Sequence, residues 1–405
     1  MRRTVMKLVL LLLVVGAIYA MELKLDLFPP STETRDSVSV HYRSAETEQA
    51  ESPLVQTDHR QAVAPPVEEE YRELELEIAE GFRSRLERFT LSHKGEREKL
   101  SEMMSDIVKS ALRRDDYSAY ILESYLYTIR SLGNLSRITI EAHYRETKEE
   151  TAAVDRKVSE TLAGIITPAM DEHEKVKAIH DWIVTHVAYD ESLTYYTAYD
   201  AIDHGQTVCQ GYALLGYKML KASGIPVLIA EGTVNTGEHA WNMVQLEGEW
   251  YHLDLTWDDP VGADPEGAIS YKYYLKSDEE LRSDHAWTMS YPEAGVVYAD
   301  TLTALAESGG EREARRYARL KLALGLHWLD AERTVSGEEQ LKRIIAEAVR
   351  TGSSQLQFRY VDGPSFPDAL KAAVQHEGGS YGYRASYEPY GRDGSLLVDL
   401  QLQYR

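Results

Sequence analysis

The stretch His239-Ala-Trp-Asn-Met-Val-Gln-Leu-Glu-Gly-Glu-Trp-Tyr-His-Leu-Asp-Leu255 is two alternating runs around Glu247-Gly248. A Gly in a two-residue connection supplies the positive φ that hairpin turns demand. Such a turn pairs Leu246 with Glu249, and therefore Trp241 with Asp254. One face then holds Ala240, Asn242, Val244 and Leu246 opposite Tyr251, Leu253 and Leu255, mostly apolar and suited to a core. The other holds His239, Trp241, Met243, Trp250, His252 and Asp254 and is expected to be the polar face. On it, His239 and Asp254 are diagonal neighbours within reach of each other. A slip of one residue would bury the charged groups, so hydrophobic patterning selects this register.

Upstream lies Cys209, the single cysteine of the 405 residues, which excludes an intramolecular disulfide. It follows Gly205-Gln206-Thr207-Val208 and opens a helix whose stripe is Tyr212, Leu215, Gly216, Met219 and Leu220, ended by Gly224 before Pro226. The free N–H groups and dipole of a helix start favour thiolate over thiol. A thiol nucleophile needs a base, and the base needs an orienting group. Cys209, His239 and Asp254 supply the three in chain order, which permits the geometry without fixing it.

Three segments carry a resemblance: Thr207-Val-Cys-Gln-Gly-Tyr-Ala213, His239-Ala-Trp-Asn-Met-Val244 and Trp250-Tyr-His-Leu-Asp-Leu-Thr-Trp-Asp-Asp-Pro260. In this order they resemble the signature blocks of the transglutaminase-like superfamily, its bacterial branch most closely. Tyr271–Leu275 and Ser277-Asp278 resemble the way these domains end, so the likeness covers roughly residues 165–290. It implies an α+β, papain-like core with a nucleophile helix packed on an antiparallel sheet. It also implies Cys209 as nucleophile, His239 as general base and Asp254 as orienter of the imidazole. Trp241 is a candidate wall of the substrate cleft, and Gln206 a candidate donor to an oxyanion beside the Cys209 N–H. The implied chemistry is acyl transfer through a thioester on peptide or protein amides, with no cofactor and no metal. Hydrolysis and lysine transamidation use the same residues; with no flanking β-domains of the animal-transglutaminase kind recognised, hydrolysis is slightly favoured. A non-catalytic binding module of the cell envelope is the third reading.

Other signals are weaker. His173 and His180 are too far apart for a zinc-binding His-Glu-x-x-His helix and read as surface or helix-face residues. His252 is a rival base without a motif around it, and His285 reads as a structural contact. Asp258, Asp259, Asp264 and Glu266 read as a solvated acidic turn rather than a calcium loop.

The rest of the chain frames this centre. Arg2, Arg3 and Lys7 precede an apolar run from Leu8 to Met21, so residues 1–21 are expected to be a signal peptide or N-terminal anchor. Either would place the protein outside the cytoplasm, touching the membrane only through that segment. Residues 22–70, rich in Ser, Thr, Glu, Gln and Pro, are expected to be a disordered spacer. Small α/β modules are expected at 71–150 and 301–405, flanking a central domain at 151–300. Helices at Glu96–Arg113 and Glu338–Arg350, and alternating strands at Ile138–Tyr144 and Leu397–Arg405, suggest diverged copies of one module. A net charge of −22 argues against a nucleic-acid or anionic-membrane binder; the peptide or protein substrate that the resemblance implies is placed at the cell wall by inference from export alone.

Overall fold

The computed structural model describes residues 39–41, 67–259, 269–377, 381–390 and 393–404. The expected leader at 1–21 and almost all of the expected spacer at 22–70 lie outside the described residues. Inside that spacer, however, Ser39–His41 is a strand (β1). The chain divides into two compact units, 1–155 and 156–405.

The first unit runs α1 (Arg72–Arg83), β2 (Arg88–Lys94), α2 (Arg97–Leu112), α3 (Asp116–Ile121), β3 (Leu122–Leu132) and β4 (Leu135–Tyr144), ending in α4 (Lys148–Ile165), which crosses the division. Its sheet is antiparallel in the order β1-β3-β4-β2. Ile138, Ile140 and Ala142 of β4 alternate into a core with Leu74, Ile78 and Phe82 of α1 and Leu100, Met104 and Ile107 of α2. Residues 120–130, which the sequence leaves open between helix and strand, are a helix end followed by a strand.

The second unit opens with α5 (Glu172–His186), capped by Asp171 and Glu174 in a reciprocal box, then β5 (Ala188–Tyr189), α6 (Ala198–Asp203) and β6 (Gln206–Thr207). Next come α7 (Cys209–Ala222) and the meander β7 (Val227–Val234), β8 (Gly237–Leu246) and β9 (Glu249–Leu253). The hairpin adopts the expected register, Leu246 on Glu249 and Asn242 on Leu253, with positive φ of 53° at Glu247 and 87° at Gly248. One face of this sheet receives α7, as a nucleophile helix on an antiparallel sheet requires, so the domain is α+β. The approach is close. At Gly216 a Cβ would stand 2.5 Å from Asn242 Oδ1 and 2.6 Å from Leu255, and Asn242 Nδ2 donates to the Ala213 carbonyl at 3.0 Å.

The other face departs from expectation. Trp241 and Met243 are buried with Ala230, Leu281 and Ala294 under the segment 273–294, which includes α8 (Asp278–Leu281). That segment is tied to β9 by reciprocal backbone bonds of 2.8 Å between His252 and Lys276. It is tied to β7 by bonds of 2.8 and 2.9 Å between Thr233 and Ala286. The face expected to be polar is therefore a second packed layer.

After it come α9 (Tyr298–Ser308), α10 (Glu311–Ala323), β10 (Thr334–Val335), α11 (Glu338–Thr351), β11 (Gln355–Tyr360), α12 (Phe366–Glu377), β12 (Tyr381–Tyr390) and β13 (Ser395–Tyr404). The boundary expected at 300/301 falls inside α9, whose Tyr298 packs on Tyr251 of the hairpin. The last sheet is ordered β10-β11-β13-β12, with Phe358, Tyr360, Val398, Leu400 and Leu402 facing Leu341, Ile345 and Ala373. Both small sheets share one plan: helix, strand, helical segment, then a hairpin whose second strand pairs antiparallel with the first strand.

Candidate active site

Cys209 is the first residue of α7 and is half-buried. Its approach is fixed by the parallel pairing of β5 with β6 and by the Val208 N–H donating to the Tyr195 carbonyl at 2.9 Å. Val208 offers no side-chain cap, so the N–H groups of the first turn are not taken up by a capping side chain.

His239 faces Cys209 from β8. Its Nε2–H donates to Asp254 Oδ2 at 2.7 Å, and Cys209 is near enough to raise the proton affinity of the ring. His239 is 7% exposed and Asp254 0%. Burial would lower the His239 imidazole, but the Asp254 charge and the bonds to Asp254 and Cys209 outweigh it and raise it to about 10. Asp254 is also held by Thr256 N and Trp257 N, which donate to its Oδ1 at 3.0 and 3.2 Å. Full burial works against its ionisation, yet His239 first and His285 next keep it well below the usual carboxylate range. Cys209, His239 and Asp254, distant in the chain, thus meet in one cluster. The arrangement can move a proton from sulfur to imidazole while the carboxylate steadies the cation.

Trp241 does not wall an open cleft. It is 1% exposed and lies behind the His239 ring, stacked at 5.9 Å and 21°. Its Nε1–H donates to His252 Nδ1 at 2.9 Å, so His252 keeps its proton on Nε2 and donates it to Asp278 Oδ1 at 2.8 Å. Burial pushes His252 below the ordinary histidine range, consistent with this neutral tautomer. His252 therefore braces Trp241 and is not a second base. Gln206 is exposed on β6, three residues before Cys209.

Two features are not legible in the sequence. His285, which reads there as a structural contact, places Nε2 3.0 Å from the same Asp254 oxygen that holds His239. His239, Asp254 and His285 bring potential ligand atoms within 4.8 Å of one another, and both ring nitrogens sit at hydrogen-bonding distance from the carboxylate. The second feature is a parallel Asp–His pair. Asp258 and His180 are both 0% exposed, their side chains 3.1 Å apart, and Asp258 also accepts from Ser270 Oγ and Tyr273 N. Asp259 accepts from the Tyr212 hydroxyl. Asp258 and Asp259 thus turn inward rather than forming a solvated turn, and His173 and His180 are buried rather than superficial. Asp264 and Glu266 lie outside the described residues.

Residues 159–255 match the family model described as the transglutaminase-like superfamily. Curated relatives include the Kyphoscoliosis peptidases of Mus musculus and Homo sapiens, each 30% identical over 118 residues. These alignments cover 25% of this chain and 18% of either relative, so the chain spans about a fifth of the length of the curated relatives it matches. A solved structure described as a TGase aligns at 13% identity and a TM-score of 0.26, over 46% of this chain and 55% of that one. Residues 159–255, which hold Cys209, His239 and Asp254, are a domain of the transglutaminase-like superfamily.

Proposed function

We propose that this protein is a cysteine acyl-transfer enzyme acting on peptide or protein amides outside the cytoplasm, with hydrolysis as its main outcome. The observation that carries the reading is His239 held at 2.7 Å on the buried Asp254 carboxylate, beside Cys209 at the start of α7. Cys209 is the nucleophile, His239 the base and Asp254 the orienter. The thiol proton passes to His239 first, and the thiolate then attacks the amide carbonyl carbon beside the imidazolium. The tetrahedral adduct collapses by breaking C–N, and His239 returns the proton to the leaving amine. Water then adds to the thioester, C–S breaks, and acid product and thiol are released.

The same thioester captured by a lysine amine would give transamidation. The peptidase name of the curated relatives favours hydrolysis. An external address rests on Arg2, Arg3 and Lys7 ahead of Leu8–Met21. Among the described residues no helix is long and apolar enough to cross a membrane.

The test is incubation with a glutamine-bearing protein and a labelled primary amine, followed by mass spectrometry. New termini or deamidation support hydrolysis, and label incorporation supports transamidation. His239→Ala is expected to raise the pH at which iodoacetamide alkylates Cys209; an unchanged profile would contradict the pairing. Silence in every channel, with Cys209 inert to iodoacetamide at neutral pH, would leave a binding module.

A further inference from the structure

His285 has no part in the proton transfers just described, yet it is a second imidazole on Asp254. It is 1% exposed, and its ring is enclosed by Trp241 at 5.2 Å, Trp257 at 4.6 Å, His239 at 5.4 Å and Tyr273 at 5.7 Å. Nε2 lies 3.0 Å from Asp254 Oδ2, and Nδ1 lies 2.6 Å from Asp284 Oδ1. Asp284 in turn accepts from the Tyr273 hydroxyl at 2.8 Å. Both ring nitrogens thus face carboxylate oxygens, which accept and cannot donate when ionised. To fill both bonds the ring must carry both N–H groups, and with them a positive charge.

We infer that His285 is a positioning residue of the site, a second imidazole that shares Asp254 and moderates its hold on His239. The inference rests on the assignment of His239 as base. Asp254 Oδ2 divides its hydrogen-bonding capacity between two rings, while Thr256 N and Trp257 N fix Oδ1. A carboxylate tied at four points cannot rotate, so His239 is aimed by a rigid acceptor. A cationic neighbour also offsets part of the charge with which Asp254 would trap the imidazolium. His239 can then both take the thiol proton and give it up to the leaving amine; a base held too strongly in its protonated form is a poor acid in the second half.

The position of His285 depends on Gly232. A Cβ there would lie 2.2 Å from the Ala286 carbonyl oxygen and 2.8 Å from the Trp241 ring. Only an absent side chain lets residue 286 pair with Thr233 and deliver its neighbour to Asp254. The titratable or charged groups facing the imidazole pair are Cys209, Asp254, Asp284, Tyr273 and His252, with Arg282 beyond His252.

The experiment follows Cys209 alkylation by iodoacetate across pH in the full chain. This anionic reagent is drawn by the His239 imidazolium, so its rate falls as that proton leaves. His285→Phe keeps a ring but no donor, and its descending limb is expected to move up by about one pH unit, a tenfold change in proton affinity. His285→Gln, which can donate to Asp254 without charge, should recover part of the shift. Asp284→Asn serves as a milder variant should His285→Phe fail to fold, and should move the limb without touching Asp254. Folded variants with the wild-type limb would overturn the inference. If His239→Ala also leaves the profile unchanged, the base assignment fails; if only the His285 and Asp284 variants are silent, this inference alone fails.

Discussion

Replacing Asp254 with Asn changes one atom of the site and tests most of its logic. Oδ1 accepts from the backbone N–H groups of Thr256 and Trp257, so the amide carbonyl is held there and the NH2 group takes the place of Oδ2. That NH2 then confronts the Nε2 atoms of His239 and His285, formerly 2.7 and 3.0 Å from an acceptor. Turning the amide over only moves the conflict to the two backbone donors. His239 is left to shift its proton to Nδ1, which then cannot receive the thiol proton. Two charge-assisted bonds, each contributing roughly 1.5–3 kcal/mol, are lost from a fully buried cluster, so a stability loss of about 3–5 kcal/mol is expected. Turnover should fall by about 10³–10⁴-fold, as wrong-tautomer variants of such triads do. Urea unfolding followed by tryptophan emission reads the first quantity. Iodoacetamide labelling of Cys209 and amide turnover read the second. An Asp254→Asn protein with wild-type unfolding, labelling and turnover would refute the whole assignment of donors and acceptors.

Cys209→Ala is expected to abolish turnover while leaving urea stability close to wild type, because the sulfur is half-buried and its loss opens little space. Gly232→Ala should cost about 1–3 kcal/mol in overpacking and about 1 kcal/mol for each Thr233–Ala286 bond that gives way, read by urea unfolding. With His239 raised to about 10 when folded, its pairing stabilises fully below the unfolded value near 6.5 and is lost as pH rises toward 10. Asp254, held low, contributes above about 3.9 and loses its contribution as the solution is acidified further. Unfolding free energy measured against pH should therefore decline above about 6.5, and Asp254→Asn should flatten that decline.

The parts of this site readable in the sequence are those fixed by local rules. The Glu247-Gly248 turn sets the β8–β9 register through backbone sterics alone, and that register puts His239 beside Asp254. The start of α7 at Cys209 follows from a break in pattern and a stripe of apolar residues. The cover on the second face follows from neither. Residues 273–294 have no period, and bonds to residues distant in the chain, Thr233 and His252 among them, bring His285 to Asp254. The burial of Trp241 is hidden for the same reason, since the alternation placing it opposite the core face cannot reveal a second layer. Asp258 and Asp259 look like a solvated turn until His180 and Tyr212 arrive from distant helices to receive them. In the small sheets β4 and β13 announce themselves by alternation, whereas β12, with Gly382, Arg384 and Pro389, does not.

The contact between α7 and β8 bears on when the site is assembled. Gly216 leaves no gap against Asn242 and Leu255, and Asn242 reaches across to the helix backbone at Ala213. The element carrying the sulfur and the strand carrying the imidazole therefore cannot slide past one another without emptying the core between them. If Cys209 and His239 are the reacting groups, their alignment is a product of folding rather than of substrate arrival. Such a centre should be as competent toward a small electrophile as toward a long polypeptide, and selectivity must come from surfaces that the reacting atoms do not share.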